Sequence, residues 1–192
     1  MQTKEISKRA NETGAAGRYL AARFRTELVD PCWFAVYTRS RHERRVAARL
    51  ADNGVVYFLP LFSTIRRWKD RKKCVELPLF PGYLFVRIAL HERLRVLQVP
   101  GVVRLVGFNG QPVPLPESEI ESLRTGLASH LRAEPHPYLT VGRRIRVKNG
   151  PLKGVEGILI RKKNRYRVVI SVDLIMRSAV VEIDLPDIER IA

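Results

Sequence analysis

The chain has 192 residues, 45% of them hydrophobic, which suffices for one ordinary domain or two small ones. No apolar run approaches the about 20 residues that span a bilayer, and the first thirty residues carry scattered charges where a signal peptide has an apolar core, so a cytoplasmic protein without a membrane anchor is expected. The formal charge of +16 divides as +2 over residues 1–31, +9 over 32–132 and +5 over 133–192, a field that attracts polyanions or a machine built around one.

Residues 1–31 are polar, yet Ala16, Leu20, Phe24 and Leu28 recur every four residues, so this N-terminal extension is expected as a tail or short helix. At Cys32 the pattern changes to the aromatic-rich run Cys-Trp-Phe-Ala-Val-Tyr-Thr, which predicts a strand. Ser40 offers an N-cap for a helix in which Glu43, Val46, Ala47 and Leu50 share one face while Arg41, Arg45 and Arg49 line another. Asn53-Gly54 ends it. A strand over Tyr57–Ile65, a basic loop over Arg66–Lys73 and strands at Val75–Leu79 and Tyr83–Ile88 follow, the last after Phe80-Pro81-Gly82. A short helix at His91–Gln98, a strand at Val102–Phe108, an extended stretch marked by Pro112 and Pro114, and a helix opened by Pro116 through about Leu127 complete the series. The order strand, helix, strand, strand, helix, strand predicts a ferredoxin-like α+β domain over residues 32–130.

Residues 131–139, with Pro135 and Pro137, read as a linker. Beyond them the period becomes two: Ile145 and Val147 alternate with cations, and Tyr166–Val172 and Ala179–Leu185 repeat the alternation, with turns at Asn149-Gly150-Pro151 and Lys162–Asn164. Residues 140–192 are therefore expected as a small SH3-like five-stranded β-barrel.

Cys32 and Cys74 have no CxxC spacing, and His42, His91, His130 and His136 are scattered, so neither a disulfide framework nor a metal site is predicted. No nucleophile-and-base set or acidic metal cluster is visible; no enzyme activity and no cofactor are expected. Strand alternation instead separates two faces. Phe34, Val36, Leu84, Val86 and Ile88 suit the core under the helices, leaving Trp33, Tyr37, Tyr83 and Phe85 as an aromatic set on the other face, expected to be exposed and to dock a partner. The loop Arg66-Arg67-Trp68-Lys69-Asp70-Arg71-Lys72-Lys73 offers cations beside Trp68, a stacking platform for bases. Leu174, Ile175 and Met176 form an apolar loop suited to a protein contact.

The segments Trp33-Phe34-Ala35-Val36-Tyr37, Leu79-Phe80-Pro81-Gly82-Tyr83-Leu84-Phe85-Val86 and Val99-Pro100-Gly101-Val102 resemble the NGN domain of the NusG family. Val141–Val147 with Gly150-Pro151-Leu152-Lys153-Gly154 and Val155-Glu156-Gly157 resemble its KOW motif, so the likeness spans residues 32–192. It implies a monomeric transcription elongation or antitermination factor whose aromatic patch docks on the clamp region of RNA polymerase, with Tyr37, Tyr83 and Phe85, and also Trp33, Phe80 and Phe108, at the contact. It implies further that Arg39, Arg41, His42, Arg44 and Arg45 lie near upstream or non-template DNA, joined by Arg67 and Trp68 as a second patch. The KOW domain would meet a small-subunit ribosomal protein or the Rho helicase through Leu174, Ile175 and Met176. The run Pro78–Val86 looks closer to specialised antiterminators of the RfaH and polysaccharide-operon type than to general NusG. The alternative reading is a KOW-containing RNA-binding or ribosome-associated protein.

Overall fold

The computed structural model describes residues 30–67, 72–128, 133–136, 138, 142–162, 165–183 and 188–190. The stripe of Ala16, Leu20, Phe24 and Leu28 falls outside them, as does Trp68. In chain order the elements are β1 (Cys32–Thr38), α1 (Glu43–Asp52), β2 (Val56–Phe58), β3 (Leu61–Arg67), β4 (Lys72–Pro78), β5 (Tyr83–Ile88), a 3-10 turn at Leu90–Glu92 leading into α2 (Arg93–Leu97), β6 (Val102–Leu105), and the short β7 (Gly107–Phe108), β8 (Gln111–Pro112) and β9 (Pro114–Leu115). Then come α3 (Glu117–Ala128), β10 (Ala133–His136), β11 (Arg143–Val147), β12 (Glu156–Lys162), β13 (Arg165–Val172), a 3-10 turn at Asp173–Ile175, β14 (Arg177–Ile183) and β15 (Ile188–Arg190). Two compact units interleave along the chain: residues up to Phe58 with Gly82–Glu117 and Asp173–Ile175, and Leu59–Pro81 with Ser118–Val172 and the residues from Met176 onward.

The first unit is built on an antiparallel sheet ordered β2-β5-β1-β6, with β9 added to β1. Trp33, Phe34, Ala35 and Val36 are all buried, so both faces of β1 are covered and the run of apolar residues has no polar alternate. Helix α1 buries Glu43, Val46, Ala47 and Leu50, the face its periodicity predicts, and exposes Arg44, Arg45 and Arg49. It starts at Glu43 after His42 and not at a capping Ser40, because Ser40 and Arg41 are spent on a turn in which Arg41 takes a φ of 62°. Glu43 is acidic yet sealed inside; its Oε1 accepts the Gly82 N–H at 2.7 Å, which satisfies a buried donor and ties the helix start to the turn before β5.

The strand expected over Tyr57–Ile65 is two strands. Pro60 lacks an N–H and breaks the ladder; its carbonyl instead accepts the Leu79 N–H at 2.8 Å, and β3 leaves the sheet to pair with β4 as a separate ribbon. Val102–Phe108 is likewise divided into β6 and β7, with the Val106 N–H donating to the Ala35 carbonyl between them.

The second unit contains a six-stranded sheet ordered β10-β14-β13-β12-β11-β15. Strands β11 to β15 supply the five expected; the sixth comes from the stretch read as a linker, whose residues Ala133–His136 pair with Ser178–Val181 of β14. Pro135 fits there because an edge strand needs hydrogen bonds on one side only. Ile145, Val147, Val168, Ile170, Val172, Ala179 and Val181 are buried as the period of two predicts. The opposite face is packed too, by Ile158, Val169 and Val180. Gly126 lets α3 approach this sheet: an added Cβ would lie 3.1 Å from Ile170 Cδ1 and 3.3 Å from Val181 Cγ2.

Candidate functional site

Strand register sets Tyr83, Tyr37 and Arg104 side by side across β5, β1 and β6, hence on one sheet face. The two tyrosine rings lie 5.3 Å apart at 48°, and the Arg104 guanidinium carbon is 5.8 Å from the Tyr37 ring centroid, within cation–π range. Tyr37 is 37% exposed and Tyr83 half-buried. Gly82 makes room for them: at its φ of +83° an added Cβ would sit 3.3 Å from Tyr37 Cε2, so a side chain there would press on the ring.

The neighbouring rows of the same face are closed. Phe58 and Phe85 stack at 6.1 Å, and Phe85 is fully buried. Trp33 is buried as well, its indole N–H donating to Glu117 Oε1 at 3.1 Å, while Glu117 Oε2 stands 3.7 Å from Arg87. Phe80 is sealed before β5. The expectation from strand alternation that Trp33 and Phe85 are exposed is therefore corrected, since alternation gives a residue's face but not what covers that face, and Phe80, placed at the contact by the resemblance, is buried too. The phenylalanine rings and Trp33, whose indole N–H is satisfied by Glu117, are enclosed, while the tyrosines with their hydroxyls remain at the end of the sheet. Phe108 is 42% exposed but belongs to the small β7–β8 pair, outside the register row. Arg104 is the member sequence reasoning missed; its signal was a lone cation in the run Val102-Val103-Arg104-Leu105.

At the end of β1 the Arg39 N–H donates to the Gly101 carbonyl at 2.8 Å. Gly101 has φ +104°, and an added Cβ would come within 2.9 Å of Val46 Cγ2, so two glycine-dependent turns hold this loop on the start of α1. Arg39, Arg41, Arg44 and Arg45 are exposed and His42 is half-buried. At the far end of α1 opens a cleft of about 500 Å³ lined by Arg49, Asp52, Asn53, Arg95, Gln98, Val99 and Pro100. Arg95 is fixed by Glu92 and by the Asn53 carbonyl, 2.8 Å from its Nη2. The cleft combines two cations, two amides and one carboxylate with Val99 and Pro100, a donor and acceptor set that suits both a phosphate and a base edge. None of its members was expected from the sequence to bind a ligand, because α1 and the segment from Arg95 to Pro100 bring them together from two stretches far apart in the chain.

In the ribbon, Arg66 pairs with Lys73 and Arg67 with Lys72 in register, like charges opposite one another near the tip. Lys72 and Lys73 are exposed; the side chain of Arg67 and all of Trp68 lie outside the described residues. Between β13 and β14, Leu174, Ile175 and Met176 do not form one apolar surface. The 3-10 turn buries Ile175, leaves Leu174 half-buried and turns Met176 outward, 62% exposed with φ 50°. Among the described residues no three His, Cys, Asp or Glu side chains gather as a metal site, and no helix is long and apolar enough to cross a membrane.

At this end of the sheet two tyrosines and an arginine share one face, next to a loop of exposed arginines. The family model described as "Transcription termination factor nusG" matches residues 31–124. Over 176 residues the chain is 30% identical to the transcription termination/antitermination protein NusG of Lactococcus lactis, covering 84% of this chain and 94% of that one. Over 181 residues it is 27% identical to the NusG of Borreliella burgdorferi, covering 83% and 98%. A solved structure described as "Domain interaction in Thermotoga maritima NusG" shares the fold, with a TM-score of 0.51 and 23% identity over 84% of this chain and 98% of that chain. The chain belongs to the NusG family.

Proposed function

We propose that the protein is a cytoplasmic transcription elongation and antitermination factor that holds the clamp region of RNA polymerase through Tyr83, Tyr37 and Arg104. The observation that carries this reading is the row itself: two tyrosines and a guanidinium left accessible beside rows that are closed. The rings offer anchors with little side-chain entropy to lose, and Arg104 favours a partner surface that is apolar with carboxylates at its rim. An anchor desolvated in this way contributes about 2 kcal/mol, so a pair can shift a clamp equilibrium strongly if only one clamp conformation meets both rings. No bond is made or broken; the factor changes a population.

Arg39, Arg41, His42, Arg44 and Arg45 supply the nucleic-acid side, together with the cleft between α1 and α2. The exposed arginines hold phosphates, and the cleft suits one unstacked base of a single strand, as upstream or non-template DNA would present. The run Pro78–Val86 supports a dedicated antiterminator of the RfaH type. The β-rich unit recruits the second partner, a small-subunit ribosomal protein or Rho, with Met176 as an exposed apolar contact.

Co-purification with core RNA polymerase tests the reading. Wild type and Phe108→Ala should be retained, and Tyr37→Ala and Tyr83→Ala lost; equal retention of all four would remove the docking assignment.

A further inference from the structure

Tyr83 follows directly on Gly82, which stands at a φ of +83° and has no side chain to fix it. Glycine is the most permissive residue in that region of backbone space, so the ring that comes after it needs a turn held from outside. The Thr38 N–H donates to the Gly82 carbonyl at 2.9 Å, which carries the pairing of β1 with β5 one step past Tyr37 and Tyr83. The Tyr37 ring borders the glycine, 3.3 Å from where a Cβ would stand. The third hold comes from another element: the Gly82 N–H donates at 2.7 Å to Oε1 of Glu43, the first residue of α1.

Glu43 is 5% exposed, and a carboxylate sealed in this way carries a desolvation cost that an apolar side chain would not. The first turn of α1 eases that cost through its N–H groups, yet an acidic residue on the exposed side of the turn would serve the helix as well. What the buried position adds is a short charge-assisted bond to the backbone beside the tyrosine row. The same helix exposes Arg44 and Arg45, and the loop before it is tied down by the Arg39 N–H on the Gly101 carbonyl at 2.8 Å. The geometry points to Glu43 as a positioning residue: buried, it meets no partner itself, and through Gly82 it holds Tyr83 and Tyr37 in a fixed relation to the arginine loop. A partner that meets the row then has little ring freedom left to remove, and nucleic acid on the same assembly meets the arginines without rearrangement. The use of the row rests on its reading as the polymerase-docking surface; its holding by Glu43 does not.

Three substitutions in the full chain separate reach from charge. Glu43→Gln keeps an oxygen at the same reach and removes the charge, Glu43→Asp keeps the charge and draws the oxygen back by one methylene, about 1.5 Å, and Glu43→Ala removes both. NMR of the free chain reads exchange of the Gly82 amide and contacts between the Tyr37 and Tyr83 rings, and binding to core RNA polymerase is measured well below every variant's melting temperature, so that only folded chain is compared. Glu43→Gln should keep the amide protection, the ring contacts and an affinity within about threefold of wild type, whereas Glu43→Asp and Glu43→Ala should lose protection and ring contacts and bind about tenfold more weakly. A purely structural Glu43 would lower the melting temperature and leave the affinity of the folded chain unchanged; that result in Glu43→Asp and Glu43→Ala would overturn the proposal, as would a Glu43→Gln that falls as far as Glu43→Ala. Tyr83→Ala, run alongside, reports on the docking reading alone. If it binds as wild type does, that reading fails, and the ring contacts in Glu43→Asp and Glu43→Ala decide by themselves whether Glu43 holds the row: their loss supports it and their persistence overturns it.

Discussion

Tyr37 and Phe85 sit on one sheet face a row apart, yet one is open to solvent and the other is sealed, and on the proposed reading this difference separates a docking residue from a packing one. Tyr83→Ala or Tyr37→Ala should weaken polymerase binding by about tenfold or more while leaving the melting temperature within a few degrees of wild type. Phe85→Ala should instead cost about 3–5 kcal/mol of stability, read from denaturant unfolding, because it opens a cavity beside Phe58. The two cysteines differ in the same way. Burial, followed by the nearby charge of Asp30, pushes the Cys32 thiol above its usual range, with Arg87 opposing and Glu117 adding to the shift. Less thiolate at a given pH means slower chemistry, so a thiol reagent at about pH 8 should modify the exposed Cys74 first and Cys32 about tenfold more slowly. Mass spectrometry of the modified peptides gives the order.

Among the elements, α1 was fully legible in its buried face, because spacings of three and four place Val46, Ala47 and Leu50 together whatever surrounds them. The interruption at Pro60 was written in the sequence but overridden by the apolar run around it. The β10 strand was hidden because Pro135 and Pro137 signal a linker, and only the presence of β14 beside Ala133–His136 makes an edge strand. The enclosure of Trp33, Phe80 and Phe85 was not legible at all, since a strand's alternation carries no information about the layer laid over it. Gly157 gives a test at this scale: an added Cβ would lie 2.4 Å from the Val169 carbonyl oxygen and 2.6 Å from Val168 Cγ1, so its lack of a side chain is what lets β12 and β13 pair. Gly157→Ala should destabilise the chain by about 2 kcal/mol or more in thermal unfolding. At the ribbon tip, Lys72→Glu with Lys73→Glu removes the like-charge pairs and should also lower affinity for single-stranded DNA, reducing the slope of log K against log salt by about one for each phosphate no longer neutralised.

For the whole molecule, the charge of +16 and the tyrosine row act at different ranges. On the proposed reading the charge would gather a nucleic-acid-bearing machine from a distance and be screened by salt, while the rings would act only on touching and be screened little. Polymerase retention should therefore slow in onset at higher salt while the difference between wild type and Tyr83→Ala persists. The proposed docking sets this row against the polymerase clamp. A photo-reactive benzoylphenylalanine put in place of Tyr83 and irradiated in the presence of core RNA polymerase tests it most directly, with Val103, exposed outside the row, labelled as a control. Adducts from position 83 should fall within the clamp, in clear excess over those from position 103. Adducts only elsewhere on the enzyme, or equal yields from both positions, would contradict it.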